Sequence, residues 1–317
     1  MKSFDEIYNE LQSKNNSELE NAWQEARKEN QKKKKVSIII CLIIDVIYII
    51  MFFRDKTIYG MHFTMFSTII FAFIVNVFVI VIVNIIVNKK KKMYNNKFKE
   101  IVINKLISNF YDNLKYFPKK LMPEYTYREI KYENYNIYHS DDYFQALMDN
   151  KYSIQMAEVL TQKEETYTDS EGNEHIKKIT KFHGLFAKIV MNKSINSELR
   201  IMQNRAFILG NKLKMDSDEF EKYFDVTATN KIIGMQLLTA DIMEELVDFE
   251  NKTKIKFDVV IKNNELYLRF HSGEMFEAGN IKKGLIDKEK VQNYFYILNF
   301  TYNLANKLIN LVNETQI

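Results

Sequence analysis

Two long apolar runs dominate the hydrophobic pattern of the first third of the chain. The first, Val36 to Phe53, is broken only by Ser37, Asp45 and Tyr48, and the second, Met65 to Val87, consists mainly of Ile, Val and Phe. A helix of about 18 residues spans a hydrocarbon core of roughly 30 Å, and in lipid only a helix or a closed barrel satisfies its own backbone groups. The pattern predicts a two-helix transmembrane hairpin with spans at 36–53 and 65–87.

Lysines flank this hairpin on the outer side of each run, whereas the connection 54–64 holds only Arg54 and Lys56 as basic residues. Because basic flanks stay in the cytoplasm, both termini are expected there, in a multi-pass protein of the cell membrane. The lysines are interpreted first as topology signals, and alternatively as an attraction for anionic lipids of the inner leaflet. They are Lys32, Lys33, Lys34 and Lys35 before the first run, and Lys89, Lys90, Lys91 and Lys92 after the second.

Two polar residues lie inside the predicted spans at similar depth. An ionised carboxylate near the middle of a bilayer costs several kcal/mol, so Asp45 needs a partner or a proton. Counted inward from the lysines, Asp45 and Asn76 fall within roughly one helical turn of the same depth. We therefore expect a structural hydrogen bond between the two helices, with a proton or ion pathway in an oligomer as the alternative.

Helical segments are predicted on both sides of the hairpin, which itself occupies residues 32–92. Residues 1–31 are expected to form one or two cytoplasmic amphipathic helices. Residues 93–117 are expected to continue the second span as a helical stalk, and Pro118 and Pro123 mark the start of the main domain at 118–317. The stalk prediction depends on six apolar residues at helical spacing: Phe98, Val102, Leu106, Phe110, Leu114 and Phe117.

The pattern of the main domain mixes the strand period with the helix period, which predicts an α+β fold of antiparallel strands and helices. One hairpin is predicted from Ser153–Tyr167 and Glu174–Met191 across a turn at 169–172. A second is predicted from Ile255–Ile261 and Leu266–Phe270, because the intervening pair Asn263-Asn264 suits a two-residue turn. Other predicted elements are helices at 215–223, 240–250 and 288–313 and an extended segment at 224–227.

The composition of the chain argues against several classes of function and site. Net charge is +4 over 317 residues, and once the eight flanking lysines are set aside, the 41 acidic residues outnumber the remaining basic ones. The chain therefore lacks the basic footprint of a nucleic-acid-binding protein. The single cysteine, Cys41, lies in the first apolar run, which excludes an internal disulfide and a cysteine zinc site.

Recognised catalytic motifs are missing from the sequence. The five histidines show no metal-ligand spacing, and no phosphate-binding glycine loop or nucleophile elbow occurs. The adjacent acids Asp141-Asp142 and Glu164-Glu165 are expected to point to opposite faces of strands and to be solvated. No catalytic residue, cofactor or metal site is predicted, although an enzyme whose groups converge only in the fold stays open.

A series of ordered segments resembles the bacterial membrane family catalogued as domain of unknown function 3137. The segments are Phe182-His183-Gly184-Leu185-Phe186, Glu219 to Val226, Leu237-Leu238-Thr239, Met243-Glu244-Glu245-Leu246, Leu266-Tyr267-Leu268 and Met275-Phe276-Glu277. Ala146 and Asn230 stand where a glycine and an aspartate are usual. The resemblance implies an integral membrane protein with a cytoplasmic α+β domain and implies no reaction. The family-motif residues singled out are Phe182, Gly184, Phe220, Phe224, Val226, Leu238 and Thr239.

These features lead to a functional hypothesis without a reaction. The chain is predicted to be a non-catalytic, membrane-anchored interaction or scaffold module of the bacterial inner membrane, with an unidentified protein partner or the anionic leaflet as its ligand. One alternative is a membrane-tethered enzyme. Another is a homo-oligomer that acts in the membrane or accompanies a transporter, using Asp45 for packing or conduction.

Overall fold

The computed structural model describes residues 1–13, 17–54, 57–58, 61–62, 65–203 and 212–314. Side chains of residues 34, 48, 51–69, 71 and 72 lie outside this description, and Lys34 of the predicted topology signal is among them. The chain divides into two compact units. We call them the helical unit, Leu11–Ile101 with Ala278–Asp287, and the sheet unit, Met1–Glu10 with Val102–Glu277 and Lys288–Ile317.

Two long antiparallel helices make up most of the helical unit. Helix α1, Phe4–Ser13, is followed by α2, Ser17–Arg54, the two-residue strands β1, Thr57–Ile58, and β2, Met61–His62, and then α3, Met65–Phe98. Late residues of α3 contact early residues of α2, which makes the helices antiparallel: Lys90 pairs with Glu25 and Lys97 with Glu18, each at 2.9 Å. Helix α2 runs without interruption from its polar N-terminal part through the lysines into the apolar run.

The apolar runs of both helices expose many of their side chains. Phe73 and Phe78 in α3 are 67% and 65% exposed, and Ile38 and Leu42 in α2 are 59% and 58% exposed. Continuous apolar exposure of this kind is uncommon on a soluble protein. The helical stretch Phe73–Ile107, which begins within α3 and extends beyond its end, is long and apolar enough to span a membrane.

An antiparallel sheet forms the second unit. Its strands are β3, Asp112–Phe117, β4, Ile137–Met148, β5, Tyr152–Thr168, β6, Glu174–Gln203, β7, Lys212–Leu213, β8, Phe224–Ala228, and β9, Phe257–Phe270. Among the described residues the order is β3-β4-β5-β6-β8-β7, with β9 on the other edge of β6. Residues 185–189 of β6 pair with β5 and β9, and residues 199–201 pair with β8 and β9. The thirty-residue β6 is therefore the central strand.

Both faces of this sheet are covered. The helices are α4, Asn104–Ile107, α5, Glu124–Arg128, α6, Asp218–Tyr223, α7, Lys231–Leu237, α8, Ala240–Thr253, and α9, Lys288–Glu314, and a π-helical turn, Lys99–Ile103, precedes α4. On one face, Phe249 of α8 stacks on Phe300 of α9 at 4.1 Å, and both contact Phe257 and Phe270 of β9. On the other face, Tyr127, Phe182, Phe186 and Tyr267 form a second apolar cluster.

The second predicted hairpin is wrong. Residues 257–270 form the single strand β9, which pairs along β6 through the Asn263-Asn264 pair. Asn263 has a φ of +55°, and the register shifts on both sides of it because β6 has extra residues between Val190 and Glu198. Phe257 and Phe270 contact the same two rings although one position is odd and the other even, and this change of phase in the apolar pattern suggested a reversal of the chain.

The predicted helical stalk over 93–117 is also wrong beyond Ile107. Residues 112–117 form strand β3, which pairs with β4, and Phe110 is buried in the sheet unit. Apolar spacing could not distinguish a helix from a helix followed by a short strand, because six residues are too few to define a period.

Several other predicted elements are confirmed. The first hairpin is β5 and β6, closed by a hydrogen bond from Gly172 N to Asp169 O at 3.1 Å. Helices α6, α8 and α9 fall at the predicted positions, and Ser217 Oγ caps α6 by accepting from Phe220 N at 3.2 Å. The mixed fold class is confirmed, while α7 was not predicted.

Gly184 is required by the close approach of β9 to β6. A Cβ at this position would lie 1.9 Å from the Phe270 carbonyl oxygen and 2.7 Å from Ser272 N, so a side chain would force the two strands apart. We expect Gly184→Ala to cost about 3 kcal/mol and to lower the thermal midpoint of the full chain in detergent by roughly 8 °C. Circular dichroism measures that midpoint.

Gly172→Ala is the control for this substitution. A Cβ at Gly172 would meet nothing within 4 Å, and only its φ of +86° disfavours alanine, at a cost of about 1 kcal/mol. Equal midpoints for the two variants would contradict the steric account of Gly184.

Candidate functional site

Most family-motif residues identified from the sequence are core residues. Phe220 stacks on Phe224 at 5.1 Å, and Val226 pairs in β8 with Ile201. The backbone of Thr239 begins α8, where its carbonyl accepts from Met243 N at 3.0 Å. Phe182, Phe220, Phe224, Val226 and Leu238 are each at most 3% exposed. These side chains stabilise the sheet unit by packing.

Three carboxylates come together beside this core. One oxygen from each of Asp141, Asp142 and Glu158 lies within 4.8 Å of the other two. Asp141 of β4 is directly opposite Glu158 of β5 in the register of the strands. Asp142 is fully buried and has a φ of +50°, at a point where the β4–β5 register shifts. We call Asp141, Asp142 and Glu158 the acidic cluster.

The prediction that Asp141 and Asp142 point to opposite faces and are solvated is wrong. Regular alternation applies only to an uninterrupted strand, and β4 has a bulge between Asp141 and Phe144. The bulge turns both carboxylates toward Glu158.

Two of the segments that resemble the family contact Glu158. Met275 N donates to Glu158 Oε2 at 2.7 Å, and His183 Nε2 lies 3.2 Å from Glu158 Oε1. Tyr116 donates its hydroxyl to Asp142 Oδ1. The His183 side chain is 37% exposed while that of Glu158 is 9% exposed, so the imidazole connects the acidic cluster to solvent.

Burial above all, together with the charges of Asp141, Asp142 and Glu274, raises the pKa of Glu158 to about 8 against the lowering effect of the Met275 N–H. Glu158 therefore holds a proton at neutral pH. A buried carboxylic acid with a pKa near neutrality can donate or accept a proton. Three carboxylate oxygens at this spacing also resemble the ligand set of a hard divalent cation.

A second buried polar cluster centres on Arg269 of β9. Its guanidinium donates from Nη2 to Asp258 Oδ2 at 2.7 Å and from Nη1 to Glu133, and it lies 3.7 Å from the centre of the Tyr132 ring. Arg269 and Asp258 are at most 1% exposed. Since each charge is paired and hydrogen-bonded, the cluster is a structural connection between β9 and the 127–135 segment. Beside it that segment lines a cavity of about 420 Å³.

Glu158 and Arg269 were missed in the sequence, although a signal was present. Each is a single charged residue with apolar neighbours on both sides in a strand, in Ala157-Glu158-Val159 and Leu268-Arg269-Phe270. A buried charge needs partners, so a charge in such a context indicates a polar cluster. Which residues supply the partners cannot be obtained from either strand alone.

The polar residues of the predicted spans contact each other. Asn76 Nδ2 donates to Asp45 Oδ1 at 2.8 Å, which is the interhelical hydrogen bond expected from their depth. Of the flanking lysines, Lys90 pairs with Glu25.

We expect the stability of the sheet unit to fall as pH rises from about 4.5 to about 8. Across this range folded Glu158 keeps its proton, because its pKa is about 8, while the unfolded residue loses it near 4.5. The folded state then binds more protons than the unfolded state. The free energy of unfolding therefore decreases as the pH rises, by a few kcal/mol in total. Thermal midpoints of the full chain between pH 5 and pH 9 measure the effect.

Two substitutions isolate the contribution of Glu158. Glu158→Gln should flatten the profile and exceed the native protein in stability above pH 8. Glu164→Gln, at an exposed position of the same strand, should leave the profile unchanged. A native-like slope in Glu158→Gln would show that another group is responsible.

Comparison with known proteins supports the resemblance found in the sequence. No curated protein and no solved structure matches the chain. The model of the family described as protein of unknown function (DUF3137) matches residues 180–310, from β6 through most of α9. The segments that carry the resemblance, from Phe182 to Glu277, all lie within this match, which supports the resemblance found in the sequence.

Proposed function

We propose that this protein is a membrane-anchored interaction module of the bacterial inner membrane. In this proposal α2 and α3 cross the bilayer as a hairpin, and the sheet unit is in the cytoplasm. One observation carries this proposal: the first ten residues belong to the same compact unit as the chain that follows α3.

Specific contacts support this observation. The Phe4 ring lies 5.7 Å from the Phe295 ring, and Lys2 N donates to Asn109 Oδ1 at 2.8 Å. Lys288 Nζ lies 3.2 Å from Asp5 Oδ1. A chain that leaves one compact unit and returns to it crosses a bilayer an even number of times. If the helix containing residues 73–107 spans once, a second span is required, and 36–53 in α2 is the apolar segment available.

Polar and charged groups are distributed as this arrangement requires. Asn76 donates a hydrogen bond to Asp45 between the helices, while many other side chains of the two apolar runs are exposed. Polar pairing between apolar helices is the pattern found in bilayers. Each lysine flank lies on the side of its apolar run from which the chain continues to the sheet unit, which agrees with a cytoplasmic location for that unit.

An exposed β-ribbon supports a role in protein interaction. Beyond the Ile137–Gln162 pair, β5 and β6 pair only with each other among the described residues, from Lys163–Ile179 to Thr168–Glu174. Tyr167 and Ile176 on this ribbon are 53% and 69% exposed. Free strand edges with exposed apolar side chains are surfaces on which a partner can add a strand.

The acidic cluster favours a second candidate, a membrane-tethered enzyme, because partly exposed His183 leads to protonated Glu158. Turnover of chromogenic ester or phosphate-ester substrates by the full chain, lost in both Glu158→Gln and His183→Gln, would favour this candidate. Turnover unaffected by either substitution would rule out the acidic cluster as its site.

Cysteine labelling tests the membrane topology. In a Cys41→Ala background, a cysteine introduced by Glu171→Cys at the end of the ribbon should react with an impermeant maleimide only after the cells are permeabilised. A cysteine introduced by Asp55→Cys, in the connection between the helices, should react in intact cells. The protein should also resist extraction by alkaline carbonate.

Two results would contradict the proposal. Reaction of the Glu171→Cys protein in intact cells would put the sheet unit outside, and release by carbonate would mean that the helices do not span the bilayer.

A further inference from the structure

The helical unit contains a cavity for which neither the sequence patterns nor the family resemblance predicts a role. It measures about 480 Å³ and is formed by α2, α3 and the segment 278–287. Lys33 of α2, Lys91 of α3 and Lys282 of the segment line it, together with the amides of Asn30 and Asn280. Three lysines from three separate segments thus face one space.

Acidic side chains neutralise two other lysines of the helical unit. Lys90 pairs with Glu25 at 2.9 Å and Lys97 with Glu18 at the same distance. Within the described part of the chain, no carboxylate lies within ion-pair distance of Lys33, Lys91 or Lys282, and none lines the cavity. Three unneutralised ammonium groups around one cavity favour an anionic ligand.

The segment 278–287 is held in place against both helices. Trp23 Nε1 donates to Ile281 O at 3.1 Å, and Ala278 N donates to Asn95 Oδ1 at 2.6 Å. Asn280 Oδ1 accepts from Lys282 N at 3.0 Å, which leaves the amide NH₂ group as a donor. Hydrogen bonds to both helices therefore hold the segment that forms one wall of the cavity.

The position of the cavity along the helices indicates the kind of anion. Lys33 precedes the first apolar run by three residues and Lys91 follows the second by four. At 1.5 Å per residue both lysines lie about 5 Å outside the apolar segments, at the depth of lipid headgroups if the helices span a bilayer.

We propose that this cavity binds the phosphate headgroup of an anionic phospholipid from the inner leaflet. The proposal rests on the membrane-spanning arrangement proposed above. It adds a discrete site to the general attraction of the lysine flanks, because two flank lysines, Lys33 and Lys91, converge with Lys282 and two amide side chains on one cavity.

The single tryptophan provides a direct measurement, since Trp23 contacts the segment that lines the cavity. The full chain in detergent micelles is titrated with phosphatidylglycerol, phosphatidylcholine or inorganic phosphate, and Trp23 fluorescence is followed. We expect a saturable change with phosphatidylglycerol and none with phosphatidylcholine or inorganic phosphate over the same range.

A pair of matched variants separates a site from diffuse charge. Lys33→Gln with Lys91→Gln removes two cavity lysines, and Lys32→Gln with Lys92→Gln removes two lysines one residue away in the same helices. Each lysine that contacts the bound headgroup contributes a factor of about five, so the first variant should bind phosphatidylglycerol roughly thirty-fold more weakly. The second should stay within about two-fold of the native protein.

Each alternative result overturns the inference. Equal weakening of both variants would mean diffuse attraction, and no saturable change with phosphatidylglycerol would mean no site. Saturation by inorganic phosphate alone would assign the cavity to a soluble anion. Carbonate extraction of the same variants keeps the two proposals distinguishable, because a resistant protein without saturable lipid binding leaves the membrane anchor intact and rejects only the headgroup site.

Discussion

Backbone pairing along β6 is the constraint on which the rest of the sheet unit depends. One strand supplies hydrogen bonds to β5 and β8 on one edge and to β9 on the other, so segments far apart in sequence are held in a single register. The close approach of β9 to β6 is possible because Gly184 has no side chain to separate Phe270 from it. The aromatic cores on the two faces of the sheet are built on strands that this pairing aligns.

The same pairing brings buried polar groups together. Glu158 of β5 lies between Asp141 of β4 and the segment that contains Met275. In this buried place it accepts a hydrogen bond from Met275 N, and the charges of the neighbouring carboxylates act on it. Arg269 of β9 reaches two acids and two aromatic rings from the opposite edge of β6. A strand that is buried on both faces must satisfy every polar side chain it carries within the fold. This requirement explains why the polar groups of the sheet unit occur in clusters.

The helical unit meets the opposite requirement. Much of the apolar surface of its two long helices is exposed, and Asn76 donates a hydrogen bond to Asp45 between their apolar runs. An apolar exterior with a paired polar interior suits helices in lipid, whereas the lysines at one end suit the boundary with water. The anchor and the headgroup site that we propose both follow from this division between an apolar exterior and a charged end.

The sequence by itself determined the elements whose signal is local. Long apolar runs predicted helices that lie within α2 and α3, and the turn at 169–172 predicted the first hairpin. The depth of Asp45 and Asn76 was enough to predict their hydrogen bond, because helix geometry converts residue number into distance. Residue spacing failed where two structures give one pattern: Asn263 and Asn264 suit a two-residue turn, yet they continue β9, and only the pairing offered by β6 decided between the two. The acidic cluster and the lysine cavity were likewise decided by tertiary structure, since each joins side chains from segments whose proximity no local pattern records.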